Sequence, residues 1–194
     1  MIRSFVCALA VAGLTTPAFA EAHRYELDPD HTTVAFLVDH LGYADTLGIF
    51  RQVEGSFTYD ISTQALSNVT VQVNSASVET FHKARNGHVL GKDFLNAKVH
   101  PVMIFSADSG TPSNEKTGSV KGNLTLLGQT HPLTLAVTLN KAAKYPFGHG
   151  RFVLGLTIKG TVIRSQYGMS YAVENGFVGD AVELIVETEA MRIE

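Results

Sequence analysis

The chain has one cysteine, Cys7, and no tryptophan. Cys7 lies in an amino-terminal segment that reads as an export signal, so no disulfide can support the fold. No small-residue lipobox precedes Cys7, which argues against a lipid anchor. Charge is also sparse. There are 15 Lys and Arg against 18 Asp and Glu, for a net charge of −3, and no basic run. The electrostatic footprint of a nucleic-acid-binding protein is therefore missing. HExxH, CxxC and any trio of histidines at short ligand spacing are absent, which removes the common zinc sites. GxSxG is absent, and with it the hydrolase nucleophile elbow. The glycine-containing stretches "FGHGR" and "NGFVGD" lack the strand-to-helix frame of a phosphate loop and read as turns.

What is present begins with Arg3, a short apolar run from Phe5 to Leu14, and Ala18-Phe19-Ala20. That order of charge, short apolar core and small-x-small site is a secretory signal, cleaved after Ala20. A membrane-spanning helix would need roughly 20 apolar residues. Residues 1–20 are thus expected to be a signal peptide and residues 21–194 a single mature domain, exported without disulfides. A bacterial periplasm fits best.

Alternation of period two dominates the mature chain. Val34, Phe36 and Val38 alternate with more polar neighbours. Val69, Val71 and Val73 share one face, as do Leu133, Leu135, Val137 and Leu139, and Val182, Leu184 and Val186. "LTLLGQTHPLTL" reads as a hairpin turning at Gly128-Gln129, with Pro132 where the second strand begins and a missing N–H is tolerated. "DSGTPSNEKTG" (residues 108–118) is a polar turn or loop. Helical signal is confined to "LGYADTLGIF" and "TFHKARNGHVLGKDFLNA". About eight or more strands at regular spacing predict an all-β antiparallel barrel or sandwich with one or two short helices. Closure into a barrel would remove exposed edges.

The histidines do not assemble into a metal site by spacing. His31 and His40 are nine residues apart, an odd number that puts them on opposite faces of one strand. His31 follows Asp28-Pro29-Asp30 and belongs to a turn; His40 ends the Val34-Phe36-Val38 stripe. Each is expected to be a paired structural histidine. His23, near the new amino terminus, has only the weak copper- or nickel-binding tendency generic to such termini. The carboxylate pairs Asp28/Asp30 and Glu183/Glu187 read as solvated surface charges. No metal site and no cofactor is expected.

Several segments together resemble the YceI-like, or polyisoprenoid-binding, proteins. "YELDPDHTTVAFLVDHLGYADTLGIFRQVEGSFTYD" is similar to the family's opening, through Asp28, His31, Thr32, His40, Gly48, Phe50, Gly55 and Phe57. "SASVETFHKARNGHVLGKDFLNAKVHPVMIFSA" resembles its middle signature, through Ser77, Val78, Thr80, Arg85, His88, Leu90, Asp93-Phe94-Leu95, Pro101 and Phe105. "GTVIRSQYGM" is similar to its Asn-Arg-x-x-(Phe/Tyr)-Gly motif, with Arg164, Tyr167 and Gly168 matching and Ile163 in place of Asn.

The resemblance implies an extended lipocalin-like antiparallel barrel with an apolar cavity. The cavity would hold a long lipid such as a polyprenyl chain, an isoprenoid quinone or a fatty amide, and the protein would not be an enzyme. On that reading the wall would include Val34, Phe36, Val38, Phe57, Val71, Val78, Phe94, Leu95, Phe105, Leu124 and Leu126. Leu47, Ile49 and Phe50 would form its mouth. His40, Arg85, His88, Arg164 and Tyr167 would stand near a head group, with a structural ion pair the alternative for both arginines. A C-terminal or edge strand offers a homodimer contact. The competing reading is a periplasmic metal-binding or redox accessory protein that uses surface histidines.

Overall fold

The computed structural model describes residues 21–193; the signal read in residues 1–20 lies outside them. The described chain folds as strands β1 (His23–Leu27), β2 (Thr33–His40), β3 (Ala44–Phe50), β4 (Val53–Asp60), β5 (Ala65–Asn74), β6 (Val78–Glu79), β7 (Val102–Ala107), β8 (Thr111–Pro112), β9 (Thr117–Leu126), β10 (Gln129–Lys144), β11 (Phe152–Ile163) and β12 (Val178–Arg192). One helix, α1 (Lys83–Val89), and two 3-10 turns, Ser75–Ser77 and Arg164–Tyr167, complete it.

Every strand pairing is antiparallel. The order β1-β4-β5-β7-β9-β10-β11-β12 closes on itself, because β1 also pairs with β12. β2 follows β1 along β12: Leu27 opposes Ala190, and Thr33 opposes Glu187. β3 and β4 run along the partners β2 and β1 in the same way. The pairs β1/β2 and β3/β4 are therefore two long strands, each broken once, in an extended eight-stranded barrel. β12 is paired along both of its sides, with β11 on one and with β2 and then β1 on the other.

The segment "LGYADTLGIF", read from sequence as helical, is instead a tight turn and strand β3. Leu41 and Gly42 both have positive φ (59° and 69°), and the Tyr43 amide donates to the His40 carbonyl at 3.1 Å. Two consecutive positive-φ residues turn the chain in the sense of the strand twist, and Tyr43 completes a three-residue loop between the paired His40 and Ala44. Gly48 then serves packing. It faces Phe36 across the β2–β3 pair, and a Cβ there would lie 2.1 Å from that ring. The β9–β10 hairpin turns one residue earlier than expected, at Leu127-Gly128, again with positive φ at both (53° and 75°). Pro132 pairs toward β9, while β11 joins β10 only from Ala136 onward, so the missing N–H breaks no ladder bond to β11.

Alternation places Leu133, Leu135, Val137 and Leu139 inside, with Val34, Phe105, Leu184 and Val186. Two apolar clusters lie toward the two ends of the barrel, the first of them along one side of an end that stays open. At one end Tyr25 stacks on Phe57 (5.4 Å between ring centroids), backed by Leu154 and Ala190. At the other, Phe36, Phe50, Val78, Leu95, Ala97, Val162, Tyr167 and Met169 pack under α1 and the Arg164–Tyr167 turn.

Candidate functional site

Between the two clusters the barrel is hollow. A cavity of about 240 Å3 runs along its interior. Its walls are Val34, Val53, Phe57, Val69, Val71, Val73, Phe105, Leu124, Leu135, Val137, Leu184 and Val186, with no charged side chain in the central section. Valine is abundant there, and its short branched side chain leaves the axis unfilled. Val69, Val71, Val73, Leu135, Val137, Leu184 and Val186 face inward yet are only half-buried. In a solid core such residues would be closed off.

The two ends differ. The Arg164–Tyr167 end is capped by a plug, beside a lateral groove where β10 and β11 part, lined by Leu133, Gly160, Gln166 and Tyr167. Arg164 is 2% exposed and spends its guanidinium on four backbone carbonyls: Gly179 and Met169 at 2.7 Å, Val178 at 2.8 Å and Tyr171 at 3.0 Å. The Ser165 amide and hydroxyl both donate to Asp180, at 2.8 and 2.7 Å. These contacts pin the 3-10 turn onto the irregular start of β12, where register shifts between Val178 and Val182. Leu95, Tyr167 and Met169 form the apolar underside of this plug.

The opposite end is open. Tyr59 and Gln64 on one side, and Thr111, Glu115, Lys116 and Thr117 on the other, border the cavity. Gln64 Nε2 donates to the Asn114 carbonyl at 3.0 Å, which ties the β4–β5 turn to the loop between β8 and β9. Asn114 Oδ1 accepts the amides of Lys116 and Thr117, both at 2.9 Å.

Of the residues singled out from sequence, Val34, Phe57, Val71, Phe105 and Leu124 line the cavity. Phe36, Phe50, Val78, Leu95 and Leu126 are buried in the cluster toward the capped end, with Val38 half-buried on β2. Leu47 and His40 are exposed on the β2–β3 hairpin. That hairpin lies at the capped end of the barrel, so the opening is formed by other residues than the expected Leu47, Ile49 and Phe50. The expected head-group set does not converge either. Arg164 is saturated by carbonyls rather than held in an ion pair. Arg85 donates to Thr80, from Nε to Oγ1 at 3.1 Å and from Nη2 to the carbonyl at 2.6 Å, and so anchors α1 against β6. His88 packs edge-on against Phe94 and Tyr171 and sits 3.4 Å from Asp93. Tyr167 is buried with its ring against His131.

The rim residues Gln64, Thr111, Glu115 and Lys116 were not singled out in sequence. The available signal was the polar segment 108–118, which reads as a loop and carries no mark of what it surrounds. Val53, Val69, Val73, Leu135, Val137, Leu184 and Val186 all sit on period-two faces, and the alternation identifies them once the sheet is known to close.

His31 and His40 are separate, as their spacing predicts. His31 Nδ1 lies 2.7 Å from Asp28 Oδ2 in the turn before β2, and Asp28 Oδ1 accepts the Asp30 amide at 3.0 Å. Among the described residues, Asp28, His31 and Glu189 bring potential ligand atoms within 4.8 Å of one another. Both Asp28 oxygens are already used, so the arrangement is accounted for as an ion-paired turn.

The Asp28 hydrogen bond raises the His31 pKa above its ordinary 6.5, and the Asp28 charge adds to this. Burial pushes the Asp28 carboxyl upward, but the His31 and Asp30 hydrogen bonds outweigh it and hold the carboxyl below 3.8. A raised histidine stabilises the fold fully below 6.5 and loses that contribution as pH rises through its folded value. A lowered carboxyl contributes fully above 3.8 and loses it as pH falls through its folded value. Both are complete between 3.8 and 6.5. We expect an NMR titration to place His31 above 6.5 and Asp28→Asn to lower it; a His31 midpoint indifferent to Asp28→Asn would refute the pairing.

A model of the YceI-like domain matches residues 25–190. A UPF0312 protein of Ectopseudomonas mendocina is 31% identical over 194 residues, covering 99% of this chain and all of that one. Among solved structures, Burkholderia cenocepacia BcnA superposes with a TM-score of 0.75 at 20% identity, covering 85% of this chain and 99% of that one. A polyisoprenoid binding domain from Saccharophagus degradans superposes with a TM-score of 0.61 at 13% identity, covering 87% and 98%. With a match that runs from the first barrel strand to the last, this chain belongs to the YceI-like family.

Proposed function

We propose that the protein is an exported carrier that sequesters a long apolar lipid, such as a polyprenyl chain, an isoprenoid quinone or a fatty amide, inside its barrel. The observation that carries this reading is the hollow, uncharged interior between a capped end and an open one. A protein interior is normally packed to the density of an organic crystal, and an apolar void of this size gives up contacts along its whole lining. An apolar chain restores them. Transfer of that chain from water contributes about 0.8 kcal/mol per buried CH2 before ordering costs. The binding activity that the Saccharophagus degradans domain is named for fits the same interior. Carriage requires no catalytic group, and export requires removal of residues 1–20 in a periplasmic setting.

Native mass spectrometry of protein purified from its exporting host tests both parts. We expect an intact polypeptide beginning at Glu21, together with a lipid recoverable by organic extraction. A protein that retains residues 1–20 sinks the export reading. A repeatedly empty barrel that also takes up no added prenyl lipid sinks the carrier reading.

A further inference from the structure

The carrier reading leaves open which way the lipid lies and what head it carries, and the two ends of the cavity differ in a way that answers both. We propose that the lipid enters tail-first through the opening bordered by Gln64 and Lys116, leaves its polar head at that rim, and is selected for an uncharged, hydrogen-bonding head over a phosphorylated one. This rests on the carrier reading.

The orientation follows from where polarity can be satisfied. The deep end is walled by Val34, Val53, Val73, Phe105 and Leu133. A hydroxyl or carbonyl carried there would lose its water with nothing in return. Of the two arginines nearest that end, Arg164 is committed to four carbonyls and Arg85 to Thr80. At the rim, Tyr59 and Gln64 bring a hydroxyl and an amide to the mouth, and Lys116 stands opposite them.

The head-group preference follows from charge. Lys116 is the one cation bordering the cavity, and Glu115 borders it next to Lys116. Among the described residues no ion pair engages Lys116. The rim's formal charge is therefore zero. A diphosphate needs several charge-assisted hydrogen bonds to replace its hydration, and arginine forks are the usual means. An alcohol, quinone carbonyl or amide needs only one or two neutral hydrogen bonds. The rim is also pre-organised. Leu139 N donates to the Lys116 carbonyl at 2.7 Å, and the loop is tied to the β4–β5 turn through Gln64 and Asn114. Little ordering cost then falls on binding.

The test compares geranylgeraniol with geranylgeranyl diphosphate by equilibrium dialysis against the mature protein, against Glu115→Lys, and against Asp45→Lys. Asp45 is exposed on the β2–β3 hairpin at the capped end, so that variant makes the same change in charge far from the rim. The wild type should favour the alcohol. Glu115→Lys should shift the alcohol-to-diphosphate affinity ratio toward the diphosphate by about tenfold or more, the gain expected of a nearby charge-assisted contact. Asp45→Lys should leave the ratio unchanged within about twofold, since exposed distant charges are screened. A ratio indifferent to Glu115→Lys, with both lipids bound, overturns the rim assignment and leaves carriage standing. A shift produced by Asp45→Lys instead places the head at the other end and overturns it too. Failure of both lipids to bind overturns the carrier reading itself.

Discussion

Arg164→Met is expected to lower the stability of the barrel by roughly 3–5 kcal/mol, the range for breaking a buried hydrogen-bonded network. Methionine keeps much of the volume and the apolar stem. It donates nothing, so the carbonyls of Met169, Tyr171, Val178 and Gly179 lose their common partner at once. These carbonyls belong to the plug and to the irregular start of β12, which have no continuous ladder there to fall back on. Arg164→Lys retains a charge but not the planar fork, whose geometry serves several acceptors together. It should fall between the wild type and Arg164→Met. For a chain of this size each kcal/mol moves the midpoint by about 2–4 °C, so thermal unfolding reads the series directly. A loss below about 1 kcal/mol for Arg164→Met would mean that the four contacts are incidental.

Val137→Trp should have the opposite profile, with ligand uptake reduced tenfold or more and stability changed by less than about 1 kcal/mol. Added volume in a packed core costs about 1–3 kcal/mol because neighbours must move. Val137 borders the cavity instead and is only half-buried, so an indole has room to enter. The same indole occupies the space a lipid would use. Because the natural chain has no tryptophan, the variant also carries a single indole, whose emission reports an apolar setting. Ala190→Leu supplies the contrast: Ala190 is 0% exposed in the Tyr25–Phe57 cluster and should show the full overpacking penalty. If Val137→Trp destabilises as much as Ala190→Leu, the interior is not hollow at that level. If it binds lipid as the wild type does, the cargo lies elsewhere.

The barrel was legible because its inner face is written in a period that only a strand uses. Leu133, Leu135, Val137 and Leu139 cannot share one face of a helix, and the structure lines them up inside β10. Leu41-Gly42 was not legible as a hairpin, because leucine rarely accepts a φ of 59°. The cross-strand pairs from His40 and Ala44 down to Val34 and Phe50 hold it there, and pairing with a distant partner leaves no local trace. The site was legible by wall and not by opening. Val34, Phe57 and Leu124 follow from alternation and resemblance, whereas the mouth depends on which loops meet at one end of a closed sheet. Gln64 and Asn114 are fifty residues apart and become neighbours only through that closure. Arg164 stood out as a residue of consequence, but sequence could not distinguish a guanidinium aimed at a ligand from one consumed by its own backbone.

The closing seam of the barrel pairs Tyr25 with Arg192 and Leu27 with Ala190. Closure therefore joins positions from opposite ends of the described chain, and no shorter fragment can complete the ring. Until β12 exists, β1 and β11 each present an open edge, the state most prone to joining a neighbouring molecule. Such distant pairing also makes folding slow relative to a helical protein of equal length. The barrel is thus a late, all-or-none assembly, and a molecule interrupted before its last strand would be an aggregation hazard rather than a smaller working barrel.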